Sequence, residues 1–202
     1  MARVHSHPPP TSSQPASETT WNGIMAYNRG CSLNSNDEDI WREETLPGFQ
    51  EGVLYGDDMP KDGKIYEMYH GTTFLAALEI MLSGFKQSED GMLGRGVYVT
   101  RDINKAQRYP LSDKTDQVVL KLRVNVGKVK KIDYQDHFMQ KKWHQYGYDT
   151  AWVPAYCGMV NSGLEEDCVW DPRRIKVVEI AYASPQLLLQ FVMIFLQLFV
   201  NS

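Results

Sequence analysis

Cysteine is scarce in this chain: Cys31, Cys157 and Cys168 are the three among 202 residues. An odd, widely spaced set excludes a disulfide scaffold and points to a reducing compartment. His137, His144, Cys157 and Cys168 are separated by gaps that fit no zinc-ligand spacing, so no metal is expected. The first 20 residues have no apolar core of the kind a secretory signal needs, and none is expected. An excess of positive charge is missing as well. Lysine and arginine number 21 against 25 aspartates and glutamates, for a formal charge of −4 and a pI near 5.7. That balance argues against a broad nucleic-acid-binding surface, and no nucleic-acid partner is expected. No internal repeat and no Rossmann glycine fingerprint are present.

What is there is unevenly distributed. Residues 1–45 carry three basic and six acidic side chains, residues 46–186 carry 18 and 19, and residues 187–202 carry none. The first segment is poor in apolar residues and opens on Pro8, Pro9 and Pro10 with scattered serine and threonine, so residues 1–45 read as a largely disordered leader. Trp21, Tyr27 and Trp41 are its sticky points, and Asn36 ahead of Asp37 stands where a helix cap would. Residues 46–186 have the composition of one folded domain. Residues 187–202 form a hydrophobic tail: Leu187–Val200 is broken only by Gln190 and Gln197. Fourteen residues fall short of the roughly 20 that a bilayer span takes, so a membrane anchor is not favoured. As a helix, Gln186, Gln190 and Gln197 share a narrow polar sector, and packing on the domain is preferred to self-association or anchoring. The expected location is cytoplasmic. Lys128, Lys130 and Lys131 would fit part of a nuclear signal, but a solvated strand end is the plainer reading.

Within the middle segment, residues 65–70 read as an aromatic-rich strand ending at a tight backbone feature over Gly71, Thr72 and Thr73. The run from Phe74 to Ser83 reads as a helix with Leu75, Leu78, Met81 and Leu82 on its buried face and Gly84 as its left-handed cap. Residues 86–95 are a polar loop, and 96–100 a short buried strand. Asp102 then caps a brief helix running towards Tyr109 and Pro110. Residues 117–127 form the clearest strand, with Val118, Leu120, Leu122, Val124 and Val126 facing the core and Val119, Lys121, Arg123 and Asn125 mostly facing water. Strands over 167–170 and 175–182, joined by an Asp171-Pro172 turn, complete an α+β, mainly antiparallel arrangement with few helices. Residues 133–163 give few periodic signals.

Individually, a histidine before glycine, a tyrosine between valines and a glutamate opening a strand are ordinary packing and surface residues. Their order is informative. MYHGTT, then GRGVYV, a tyrosine 11 residues after Tyr98, and EDCVWDP resemble the poly(ADP-ribose) polymerase family, over roughly residues 60–183. His70, Gly71, Tyr98, Tyr109 and Glu166 occupy that family's signature positions. The place of Glu166, five residues before Asp171-Pro172, selects it over Glu165. The run GMLGRGVYVTRDINKA, with VNVGKVKKIDYQ and WDPRRIKV, further resembles the virus- and interferon-induced antiviral proteins of fish known as the grass carp reovirus-induced gene family.

The resemblance implies a split, mainly antiparallel sheet, NAD as co-substrate, protein acceptors and a role in innate antiviral defence. Catalysis would rest on Glu166, His70 and Tyr98, and binding of NAD on His70, Gly71, Tyr98 and Tyr109. One position departs from the family: Ala106 stands where a serine or threonine commonly bonds the nicotinamide carboxamide, with Thr100 or Gln107 as possible substitutes. A lost hydrogen bond there costs about 1–3 kcal/mol. The alternative expectation is therefore a weak or inactive domain serving as a binding or scaffold module. Thiol hydrolysis by Cys157 with His144 and Asp149 meets no family spacing.

Overall fold

The structure is a computed structural model, and it describes residues 40–41, 58–110 and 113–200. The expectations for Trp21, Tyr27 and Asn36, and for disorder over 1–20, lie outside these residues. The described part is α+β, with two small sheets and few helices. In chain order the elements are β1 (Ile65–Thr73), α1 (Phe74–Ser83), β2 (Val97–Val99), α2 (Ile103–Ala106), β3 (Gln117–Asn125), β4 (Val129–Lys131), β5 (Thr150–Val153), β6 (Glu166–Val169), β7 (Ile175–Ala183) and α3 (Pro185–Val200). One sheet has the order β1-β3-β7 and the other β2-β6-β5-β4. Every neighbouring pair is antiparallel except β4 with β5.

The two sheets meet at one backbone bridge. Tyr69 N–H donates to the Thr100 carbonyl at 2.7 Å, and Thr100 N–H returns the bond at 3.0 Å. Because strand residues alternate in direction, Gly71 turns its N–H and C=O to the same edge of β1 as Tyr69, beyond the point where β2 has ended. The tight feature expected at Gly71–Thr73 is instead strand, continuous to Thr73. Glycine is required at 71 for another reason: a Cβ there would lie 1.8 Å from the carbonyl oxygen of Ala106.

Thr73 caps α1 by accepting from Ala76 N–H at 3.3 Å, so the helix starts with no intervening loop. That fixes its rotation, and its buried residues are Phe74, Ala77 and Met81. Leu75 and Leu82, expected inside, are exposed, and Leu78 is half-buried. Gly84 closes the helix at φ 81° and ψ 174°, outside the left-handed helical region but still a conformation that only glycine adopts readily. β3 lies between β1 and β7, and its second face is more covered than alternation alone predicts. Gln117 donates to the carbonyls of Gln107 and Tyr109, and Asn125 donates to the carbonyl of Ile40. Val119, between them on that face, is fully buried.

Residues 133–163, unreadable by periodicity, contain β5 and brace the loop before β2. Trp143 Nε1–H donates to the Leu93 carbonyl at 2.8 Å, Gln140 Nε2–H to the Met92 carbonyl at 3.0 Å, and Lys141 pairs with Asp90 at 2.9 Å. Trp41 is also buried, with Nε1–H donating to the Arg173 carbonyl at 3.0 Å and the Lys176 ammonium 3.8 Å from its ring centre.

α3 packs on the domain through Leu187, Phe191 and Phe195, and the Phe191 and Phe74 rings lie 4.5 Å apart. Among the described residues, no helix is long and apolar enough to cross a membrane. Phe191 is fully buried, so Phe191→Ala is expected to cost about 3–5 kcal/mol, read as a lower urea midpoint of unfolding at unchanged slope.

β6 holds a second stability test. Asp167 is fully buried, and neither carboxylate oxygen has a hydrogen-bond partner. Burial, and then the nearby Glu165 carboxylate, push its pKa well above the usual aspartate value. A proton held more tightly in the folded state stabilises fully below the unfolded pKa, about 4, and this contribution is lost as pH rises through the folded value. Asp167→Asn removes the ionisation. Its melting temperature, measured against the parent from pH 4 upward, is expected to gain steadily; an unchanging difference contradicts the assignment.

Candidate active site

A cavity of about 350 Å³ opens between the two sheets, and His70, Gly71, Tyr98, Tyr109 and Glu166 all line it. Residues up to 96 positions apart in the chain are thus gathered by β1, β2, the end of α2 and the start of β6.

His70 sits near the end of β1. Its Nδ1 lies 2.8 Å from the Tyr98 carbonyl, which only accepts, so Nδ1 carries the hydrogen. Burial lowers the pKa of His70 by more than that hydrogen bond raises it, so the ring is neutral at neutral pH, with Nε2 as an acceptor. Phe85 meets the ring edge-on at 5.3 Å, delivered there by the turn at Gly84.

Tyr98 on β2 is gripped at its tip. Its hydroxyl accepts from Leu93 N–H at 2.9 Å and donates to the Gly94 carbonyl at 2.8 Å. Burial pushes the phenol pKa well up, so the hydroxyl is a fixed neutral anchor. The ring face, not the hydroxyl, is what Tyr98 offers the cavity. Gly91 permits this approach, since a Cβ there would lie 2.3 Å from the hydroxyl oxygen. Tyr109 follows α2 and is half exposed, its phenol pKa also raised by burial and then by the Glu166 carboxylate.

The adjacent glutamates have different surroundings. Glu165 accepts from Arg101 Nε at 2.9 Å and Nη2 at 2.5 Å, from Arg101 N–H at 3.0 Å and from Trp152 Nε1 at 3.1 Å. Both its oxygens are thereby occupied away from the cavity, where it is not a lining residue. Glu166 alternates to the cavity side, with 15% of its side chain accessible and one ion pair, to Lys105 Nζ at 3.1 Å.

Lys105 was missed in the sequence. It is buried on α2, and its ammonium also donates to the Glu165 carbonyl at 2.9 Å. A lysine next to Asn104 on a four-residue helix has no local pattern that distinguishes it from a surface charge. Ser88, Asp90 and Met92 from the loop ahead of β2 were likewise not singled out, and they line the cavity.

Ala106 is buried on the wall and brings no hydroxyl. Neither expected substitute fills that gap. Thr100 Oγ1 donates to the Glu165 carbonyl at 3.2 Å and accepts from Asp102 N–H at 3.1 Å, while Gln107 is not a lining residue. The Cys157, His144 and Asp149 set is also tied elsewhere. Asp149 holds Arg174 at 2.9 Å and Lys128 N–H at 2.8 Å, and His144 stacks on Trp170 at 3.7 Å. Among the described residues, no group of three or more histidine, cysteine, aspartate or glutamate side chains is placed to hold a metal ion.

No curated protein matches the chain. The family model for the poly(ADP-ribose) polymerase catalytic domain matches residues 49–153, just over half of the chain. That span includes His70, Gly71, Tyr98 and Tyr109 and stops short of Glu166. With the α+β architecture and the two antiparallel-rich sheets, it shows that this chain belongs to the poly(ADP-ribose) polymerase catalytic domain family.

Proposed function

We propose that this protein transfers ADP-ribose from NAD to protein acceptors and releases nicotinamide. The observation that carries the reading is the convergence of His70, Gly71, Tyr98, Tyr109 and Glu166 on one cavity.

The reaction breaks the bond between the nicotinamide nitrogen and the ribose C1′. The bonding electron pair leaves with nicotinamide, which departs neutral, and an acceptor nucleophile bonds to C1′ and gives up its proton. Positive character grows on the ribose in the transition state. We assign Glu166 to stabilise it, through the hydroxyl beside C1′ and through its own charge. Lys105 holds the Glu166 carboxylate at 3.1 Å and so limits its rotamers, while Glu165 has no freedom to serve instead.

Nicotinamide is a flat amide. Tyr98 and Tyr109 would cover its faces, and the edge-turned backbone of Gly71 would bond its carboxamide. Neutral His70, with Nε2 accepting, would receive a hydrogen bond from a ribose hydroxyl and so orient the dinucleotide. The chain's lack of a disulfide framework favours a cytoplasmic setting, and its resemblance to interferon-induced fish proteins favours an antiviral one.

A second reading keeps the fold and drops turnover: a module that binds partners in the same antiviral setting. Ala106 favours it, because the wall lacks the hydroxyl and Thr100 is committed elsewhere.

Two measurements separate the readings. With labelled NAD, the parent is expected to label protein, and Glu166→Ala to lower the rate about a hundredfold or more. Labelling that is absent, or equal in both, removes the transferase reading. Ala106→Ser adds the missing hydroxyl and is expected to lower KM for NAD about two- to tenfold, from a net hydrogen-bond worth of about 0.5–1.5 kcal/mol. NAD binding seen by calorimetry only in Ala106→Ser establishes the module instead.

A further inference from the structure

The segment from Lys128 to Tyr148 has a charge that the whole-chain value hides. It carries five lysines against two aspartates, a net +3 within a chain of −4. Lys131 pairs with Asp133 at 2.8 Å and Lys141 with Asp90 at 2.9 Å. Lys128, Lys130 and Lys142 have no acidic partner among the described residues. Lys128 and Lys130 rest over the Tyr148 ring, their ammonium groups 4.8 Å and 5.7 Å from its centre. A neutral ring holds a lysine in place without cancelling its charge. Asp149, next in the chain, is itself held by Arg174.

The same segment exposes a row of rings. Tyr134, Phe138 and Tyr146 are exposed at 54%, 64% and 52%. His137 joins them, its ring centre 4.9 Å from that of Tyr134 and 4.9 Å from that of Phe138, to which it is nearly parallel at 19°. Tyr146 meets Phe138 edge-on at 6.0 Å. Met139 N–H donates to His137 Nδ1 at 3.0 Å, which fixes that ring. Gln140 and Trp143 are buried and bonded to the loop before β2, so the row stands on a braced base. The lysines reach it at both ends. Lys142 caps the single 3-10 turn Trp143–Tyr146, and the Lys131–Asp133 pair lies within electrostatic reach of His137. No large aliphatic side chain is exposed between residues 128 and 148.

We propose that this face binds single-stranded RNA, with unpaired bases stacked on Tyr134, Phe138 and Tyr146 and phosphates on Lys128, Lys130 and Lys142. Rings and cations together select the occupant. Exposed rings take flat bases that are free to unstack, which a duplex does not offer. Phosphates complement lysines that no carboxylate neutralises, and the release of condensed counterions favours the contact. A protein partner fits less well, because lysine is depleted at protein interfaces and no exposed aliphatic group accompanies the rings. Asp136 and Gln145, exposed among the rings, can accept from the ribose 2′-hydroxyl, which RNA has and DNA lacks. The chain's overall negative charge argues against a broad surface of this kind, not a local one. The inference rests on the fold and not on the transfer reaction.

The test is fluorescence anisotropy of a labelled oligoadenylate RNA of about 12 nucleotides, titrated with the full chain. The parent is expected to bind, with the logarithm of its affinity falling linearly in the logarithm of salt. Phe138→Ala/Tyr146→Ala is expected to weaken binding at least about tenfold. Both rings are exposed, so the circular dichroism spectrum and melting temperature are expected to stay unchanged. Phe138→Tyr/Tyr146→Phe keeps both stacking faces and is expected to bind like the parent. Lys128→Gln/Lys142→Gln is expected to lower the salt slope by about 0.7 for each lysine removed. Oligodeoxyadenylate, and the RNA annealed to oligouridylate, are each expected to bind more weakly. A parent that fails to bind at low salt, or a ring-to-alanine variant that binds as well as the parent, overturns the proposal. So does DNA or duplex bound as tightly as the RNA strand, which assigns the face to DNA or to polyanions in general.

Discussion

The buried ion pair between Arg101 and Glu165 is the constraint on which the site depends. Arg101 reaches Glu165 with both side-chain and backbone donors, and Trp152 on β5 adds a further bond. Removing charges from water is costly, and the pair is not fully compensated, since Arg101 Nη1 is buried without a hydrogen-bond partner. The contact therefore does more for geometry than for stability. It joins the residue just past β2 to the residue just before β6, so the two strands cannot slip. With Glu165 anchored on one side, alternation sends Glu166 to the other. Lys105 completes the arrangement by bonding the backbone of the first glutamate and the carboxylate of the second.

Split sheets make the cavity. A continuous sheet would pair both edges of β1 along its full length and hide the Gly71 backbone. Instead β2 pairs with β1 only at Tyr69 and Thr100, and the edge is released two residues later. The α2 carbonyl end occupies the space a side chain at 71 would need. A single missing methyl group thus lets a helix, a strand edge and two tyrosines share one pocket wall.

Much of this was readable in the chain. β3 alternates so regularly that its core face, Val118 to Val124, is unmistakable, and the Asp102 cap and Gly84 stop bracket their helices correctly. The histidine, tyrosine and glutamate were found through their order, and the structure gathers them at one cavity. What could not be read depends on distant partners. β4 and β5 are short and pair with each other in parallel, so neither carries a self-sufficient pattern. The Thr73 cap fixes the rotation of α1 and turns Phe74 inward to meet Phe191, more than a hundred residues away, and a periodicity count cannot see that partner. Lys105 and Asp167 look like surface charges because nothing local distinguishes a buried ion from a solvated one. In α3 the glutamines drew attention to a polar stripe, while the apolar residues that face outward are indistinguishable in type from those that face in.

The electrostatic balance of the cavity has a consequence for ionic strength. The charged side chains on its wall are Glu166, its partner Lys105, and Asp90, with His70 neutral. Lys105 is consumed by Glu166, and Asp90 by Lys141. Among the described residues that line the cavity no cation is left uncompensated, and the exposed Arg108 beside Tyr109 is the cation that stands next to them. Added salt, which screens exposed charges more than buried pairs, would act on Arg108 well before it reached the Lys105–Glu166 pair inside.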